Sequence, residues 1–114
     1  MVPHASQTAS SVSDDFAAGW ALLNEAGAAA ARLAGLGQEP ASLSPPEFAE
    51  YAAASPHCAV AHRAIDDLAA VLHTGLAAID AALRDGRDVA AAANTLWREY
   101  DHARRALVQI VAPA

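Results

Sequence analysis

Two stretches of helical spacing, separated by a short break, constrain this chain more than anything else in it. Ile65, Leu68, Leu72, Leu76, Ile79 and Leu83 recur at intervals of three and four, and Ile65, Leu72 and Ile79 lie seven apart. Val89, Ala93, Leu96, Tyr100, Ala103, Leu107 and Ile110 then alternate strictly by four and three. An α-helix turns 100° per residue, so each series falls on one face. Asp85-Gly86-Arg87 between them reads as a stop, because glycine tolerates the left-handed backbone that closes a helix. A connection this short makes the two helices antiparallel neighbours. The spacing predicts a long hairpin, one helix from Pro56 to about Arg84 and another from about Asp88 to Val111, with Pro113 ending the pattern.

The residues before the hairpin carry weaker signals of the same kind. Phe16, Trp20, Leu23, Gly27 and Ala30 recur at 4-3-4-3, which predicts an N-terminal helix ending at Gly35 and Gly37. Ser13 is its candidate N-cap, and Asp14 and Asp15 suit the positive end of the helix dipole. Gly27 interrupts the stripe: either another backbone approaches closely there, or the glycine only weakens the helix. After a loop over 37–44, Ser44-Pro45-Pro46-Glu47 has the form of a capping box with proline in the first turn. It predicts a short linker helix from Pro45 to Ala54, and Ser55-Pro56 starts the chain again. Residues 1–13 are rich in Ser, Thr, Ala and Gln without a period and read as a flexible tail. The expected architecture is all-α: a single helical bundle domain over 14–111, made of an N-terminal helix, a short linker helix and the long antiparallel hairpin.

Composition agrees with that class. Of the 114 residues, 54% are hydrophobic, yet 33 are alanine, and there are only two each of Phe, Tyr and Trp. Alanine is the best helix former but buries little, and the β-branched and aromatic runs of a sheet protein are missing. Such a core is thin, so the apolar seam Ile65, Leu72, Ile79, Leu96 and Leu107 invites a helical partner: a second copy, or another helical protein in a heterodimer.

Charge excludes other classes. Thirteen acids against seven arginines, with no lysine, give a net charge of −6, which is not the footprint of a nucleic-acid binder. No long uncharged apolar run suggests membrane insertion. Met1-Val2-Pro3-His4-Ala5 lacks the basic and apolar regions of a Sec-type signal peptide. The expected location is cytoplasmic, or secreted by another route.

Chemistry is sparse. Cys58, His62, Asp66 and His73 share an arc of about 80° on one helix, all with metal-ligand chemistry. His73 lies about 16 Å along the helix from His62, beyond one coordination sphere, and a lone cysteine is usually a small buried hydrophobe. Asp66 and Asp67 point about 100° apart. No nucleophile, base and oxyanion donor come together in the pattern. The sequence therefore predicts no catalytic residues, no metal and no cofactor.

The most suggestive stretch is Leu96-Trp97-Arg98-Glu99-Tyr100-Asp101. Tyr100 belongs to the core stripe, while Trp97 and Asp101 are neighbours one turn apart on the adjoining face. With Arg98, Arg104 and Arg105 as a basic rim, they form either a recognition patch or the edge of the bundle. This stretch and the Ala-rich approach Val89-Ala90-Ala91-Ala92-Ala93-Asn94 resemble the small helical WXG-type and ESX-type substrates of actinobacterial type VII secretion. That family's signal is Tyr-x-x-x-Asp/Glu near the end of a helical hairpin, and Trp97 to Asp101 matches it with tryptophan for tyrosine. The resemblance covers about residues 56–111 and implies a non-enzymatic, dimerising, exported protein. It departs from the family at the turn, where Asp85-Gly86-Arg87 stands in place of Trp-x-Gly, and at Tyr100, followed four residues later by Arg104. The residues alone leave open a cytoplasmic helical adaptor or regulator, or a ligand- or metal-binding bundle.

Overall fold

The structure is a computed structural model that describes residues 4–37 and 43–112, with side chains in the first helix from Val12 onward. Four helices follow in order: α1 His4–Leu33, α2 Pro45–Ala54, α3 Cys58–Arg84 and α4 Ala90–Val111. Among the described residues there is no strand. The all-α class and the hairpin of α3 and α4 are as the spacing predicts.

Each helix ends where its local chemistry says it should. Gly35 and Gly86 both take φ +74°. Beyond them the Leu36 N–H donates to the Ala31 carbonyl and the Arg87 N–H to the Ala82 carbonyl, the Schellman closure that satisfies orphan carbonyls. The capping box of α2 is formed: Ser44 Oγ accepts from the Glu47 N–H, and Glu47 Oε1 accepts from the Ser44 N–H. Ser55 Oγ accepts from the His57 N–H, and α3 starts at Cys58, two residues later than the sequence suggests. Asp88 Oδ1 accepts from the Ala90 N–H, the first amide of α4, while Val89 at the N-cap position supplies no side-chain bond.

The beginning of α1 corrects the sequence reading. The backbone is helical from His4, so Ser13 lies inside a helix rather than at its N-cap; residues 1–3 lie outside the described residues, as do 38–42 of the expected loop and Pro113. The physical reason is that nothing between His4 and Ser13 breaks a helix. Ser, Thr and Gln cost only tenths of a kcal/mol relative to Ala, and a helix held by packing further on propagates backwards cheaply.

Helix α1 packs on all three others. With α3 and α4 it forms a three-helix bundle, and α2 lies mainly along α1. The stripe Phe16, Trp20, Leu23 and Ala30 is fully buried. Trp20 stacks on Phe48 of α2, the rings parallel and 4.0 Å apart, and Phe16 meets Phe48 edge-on at 6.1 Å. The Trp20 indole N–H donates to the Leu43 carbonyl at 2.9 Å, tying the α1–α2 connection to the core.

The expected partner-binding seam is already occupied. Ile65, Leu72, Ile79, Leu96 and Leu107 are all buried within the chain, between 1% and 6% exposed. The correction has a simple cause: α1 supplies the apolar face that the hairpin alone lacks, and periodicity cannot say whether a seam is covered by the same chain or another. The last turns of α4 depart from the strict 4-3 pattern as well. Arg104 and Val111 are buried there, while Ala103 and Ile110 are only half-buried. A straight helix drifts about 20° per heptad against a 3.5-residue repeat, which carries the buried face one residue further along.

Candidate functional site

The Trp97–Asp101 stretch lies on α4 where that helix meets α1, and the meeting explains most of its residues. Gly27 of α1 is the position at which Tyr100 enters. A Cβ on Gly27 would stand 2.2–2.6 Å from three atoms of the Tyr100 ring. The close approach expected at Gly27 is therefore made by a side chain rather than a backbone. Tyr100 is 4% exposed, and its hydroxyl donates to Asn24 Oδ1 at 2.6 Å. Sequence reasoning missed Asn24. The signal was present, since a buried tyrosine needs a polar partner and Asn24 lies one turn before the glycine that admits the ring.

Gly27→Ala is expected to destabilise the protein. The gain in helix propensity is about 1 kcal/mol, but displacing a pinned ring costs about 1–3 kcal/mol. Thermal unfolding should show a lowered midpoint; a raised one would mean the ring has room to move.

Arg104 is the correction at this site. Read as part of a solvated basic rim, it is 8% exposed and lies over the Tyr100 ring, 5.4 Å from its centroid. Its Nη2 donates to Asp101 Oδ1, and its Nε has no partner among the described residues. The Asp101 carboxylate is itself only 14% exposed, and its Oδ2 faces Arg105 at 3.2 Å. Arg98 and Arg105 are on the surface as expected. Trp97 is half-buried and packed against the core, so it is the edge of the bundle rather than a free indole. Burial pushes the Tyr100 phenol above its ordinary value of 10.0, against the pull of the Arg104 cation. The unfolded chain then ionises first. The stability from this group is complete below pH 10 and is lost as pH rises through the raised value.

The ligand-type side chains of α3 do not converge. His62 Nδ1 lies 3.5 Å from Asp66 Oδ2 with both side chains mostly exposed, and His62 meets Phe16 edge-on at 5.9 Å. Cys58 is half-buried against the core, and His73 is exposed. Among the described residues no three His, Cys, Asp or Glu side chains gather to hold a metal. No helix among them is long and apolar enough to cross a membrane. Comparison with protein-family models, with curated proteins and with solved structures finds no match.

Proposed function

We propose that the chain is a non-enzymatic helical interaction protein exported in the manner of a type VII secretion substrate, alone or beside a helical partner. The observation that supports this reading is the pair Trp97 and Asp101, one turn apart on the last helix of an antiparallel hairpin, with the indole partly open to solvent. The half-buried indole offers a receptor one flat apolar contact, and the Asp101 carboxylate beside it, held by Arg104 and Arg105, fixes that turn of the helix.

The test must separate a signal from a fold requirement, because Asp101 also neutralises Arg104. In a host with type VII machinery, the wild-type chain reaches the medium. Trp97→Ala remains in the cells, and so does the double variant Asp101→Asn/Arg104→Met, which removes carboxylate and buried cation together and keeps the fold. Retention of the wild-type chain, or export of both variants at its level, overturns the export reading.

A further inference from the structure

The flank of the hairpin turned away from Trp97 carries a second surface. On α3, Val60, Val71 and Thr74 fall within an arc of about 60°, and on α4, Glu99, Ala106 and Ile110 fall within about 40°. That arc of α4 lies about 160° from Trp97. Because the helices are antiparallel, each step down α3 is matched by a step up α4. Val60 shares a hollow of about 760 Å³ with Ala106 and Ile110, lined also by Tyr51 and Pro56. Val71 and Thr74 share one of about 450 Å³ with Leu96 and Glu99. Between the hollows the flank carries the small residues Ala64 and Ala103. Gly75 sets the floor: a Cβ there would lie 2.7 Å from Leu96 Cδ1, so Leu96 seats directly on the backbone of α3.

The floor is apolar and partly uncovered, with Val60 55% and Val71 47% exposed. The rim is acidic. Glu99 lines the smaller hollow, and Asp67 lies on the arc of Val60 and Val71 with its side chain exposed. Arg63 stands one turn before Asp67 at the far edge, and among the described residues neither acid is in an ion pair. From Val60 to Gly75 the trough runs about 22 Å, the length of a helix of four turns.

We infer that this trough docks an amphipathic helix of a partner protein, apolar on its inner face and flanked by basic side chains. The charge pattern selects a partner over a second copy. A second copy presenting this flank would bring two further acids and one arginine against Asp67 and Glu99, in a chain of net charge −6. Nor do the described residues offer a suitable face elsewhere. Exposed Arg98 and Arg105 lie with His102 and Gln109, and exposed Leu22 lies with Ala18 and Glu25. The trough is independent of the export reading, since it uses the other flank of α4.

The probe is a 16-residue peptide with leucine and alanine on one helical face and arginine at its borders, with a twin carrying glutamate for arginine. Titrated into the ¹⁵N-labelled full chain, the arginine peptide should shift the amides of Val60, Val71, Glu99 and Ile110. Asp67→Lys/Glu99→Lys, both surface changes, should weaken it at least tenfold and reverse the preference between the peptides. Val71→Ser should weaken both peptides, whereas Leu22→Ser on α1 should change nothing. The inference is overturned by equal binding of the two peptides, by indifference to Asp67→Lys/Glu99→Lys, or by no shift at about 1 mM peptide, a free energy near 4 kcal/mol. It is equally overturned if sedimentation shows a dimer of the chain that Val71→Ser dissociates.

Discussion

Asp101→Asn is expected to lower the free energy of unfolding by about 3–5 kcal/mol, the cost of leaving a buried charge without its partner. Magnitude decides between two readings of this residue. Were the pair of Asp101 and Arg104 an ordinary surface ion pair, its loss would cost about 0–1 kcal/mol. Arg104, however, is 8% exposed and lies over the Tyr100 ring, with one nitrogen already lacking a partner among the described residues. Taking away the carboxylate leaves a guanidinium among apolar groups, and Arg105, mostly in solvent, does not replace it. Arg104→Met in the same chain should recover most of the loss, since a buried ion pair exchanged for apolar side chains is often neutral or better. Urea unfolding of the wild type, the single variant and the double variant measures all three. A single variant within about 1 kcal/mol of wild type would place Arg104 in solvent.

Trp20→Ala should cost a comparable amount, about 3–5 kcal/mol. The indole is fully buried, stacks on Phe48 and donates to the Leu43 carbonyl. Its removal opens a cavity between α1 and α2 and frees that carbonyl. Trp20→Phe keeps much of the ring and loses the N–H, so its cost includes about 1 kcal/mol for the hydrogen bond. A domain of this size is stable by roughly 5–15 kcal/mol in total. Trp20→Ala therefore approaches the limit at which the bundle holds, while Trp20→Phe stays well inside it. Because α2 lies mainly on α1, proteolysis in the α1–α2 connection should rise sharply in Trp20→Ala. An unchanged cleavage rate and an unchanged urea midpoint would show that the stacking carries little.

Much of this architecture is legible in local residues. The capping box at Ser44 and Glu47, the stops at Gly35 and Gly86, and the stripe from Phe16 to Ala30 each depend on neighbours within a few positions, and the structure forms all of them. What escapes the sequence depends on distant partners or on small differences. The start of α1 at His4 turns on propensities worth tenths of a kcal/mol. The burial of Arg104 in place of Ala103 follows from accumulated helical drift. The pairing of Tyr100 with Gly27 and Asn24 spans more than seventy residues, and no periodicity within one helix reports it. For the same reason the spacing of Ile65, Leu72 and Leu107 reads as a seam open to a partner, although these residues are buried within the chain. Trp97 and Asp101 are adjacent as their spacing requires, but spacing says nothing of the arginine that holds the carboxylate.

The central claim is that α1 of the same chain covers the seam of the hairpin, with the Tyr100 ring seated on Gly27. Isotope-filtered NMR on an equal mixture of labelled and unlabelled full chain tests it directly, because the experiment separates contacts within a molecule from those between molecules. Cross-peaks between the Tyr100 ring and the Gly27 α-protons, and between Ile65 or Leu72 and α1, should arise within one molecule. Their appearance between molecules, or contacts of the seam with a second copy of α3, would contradict the account.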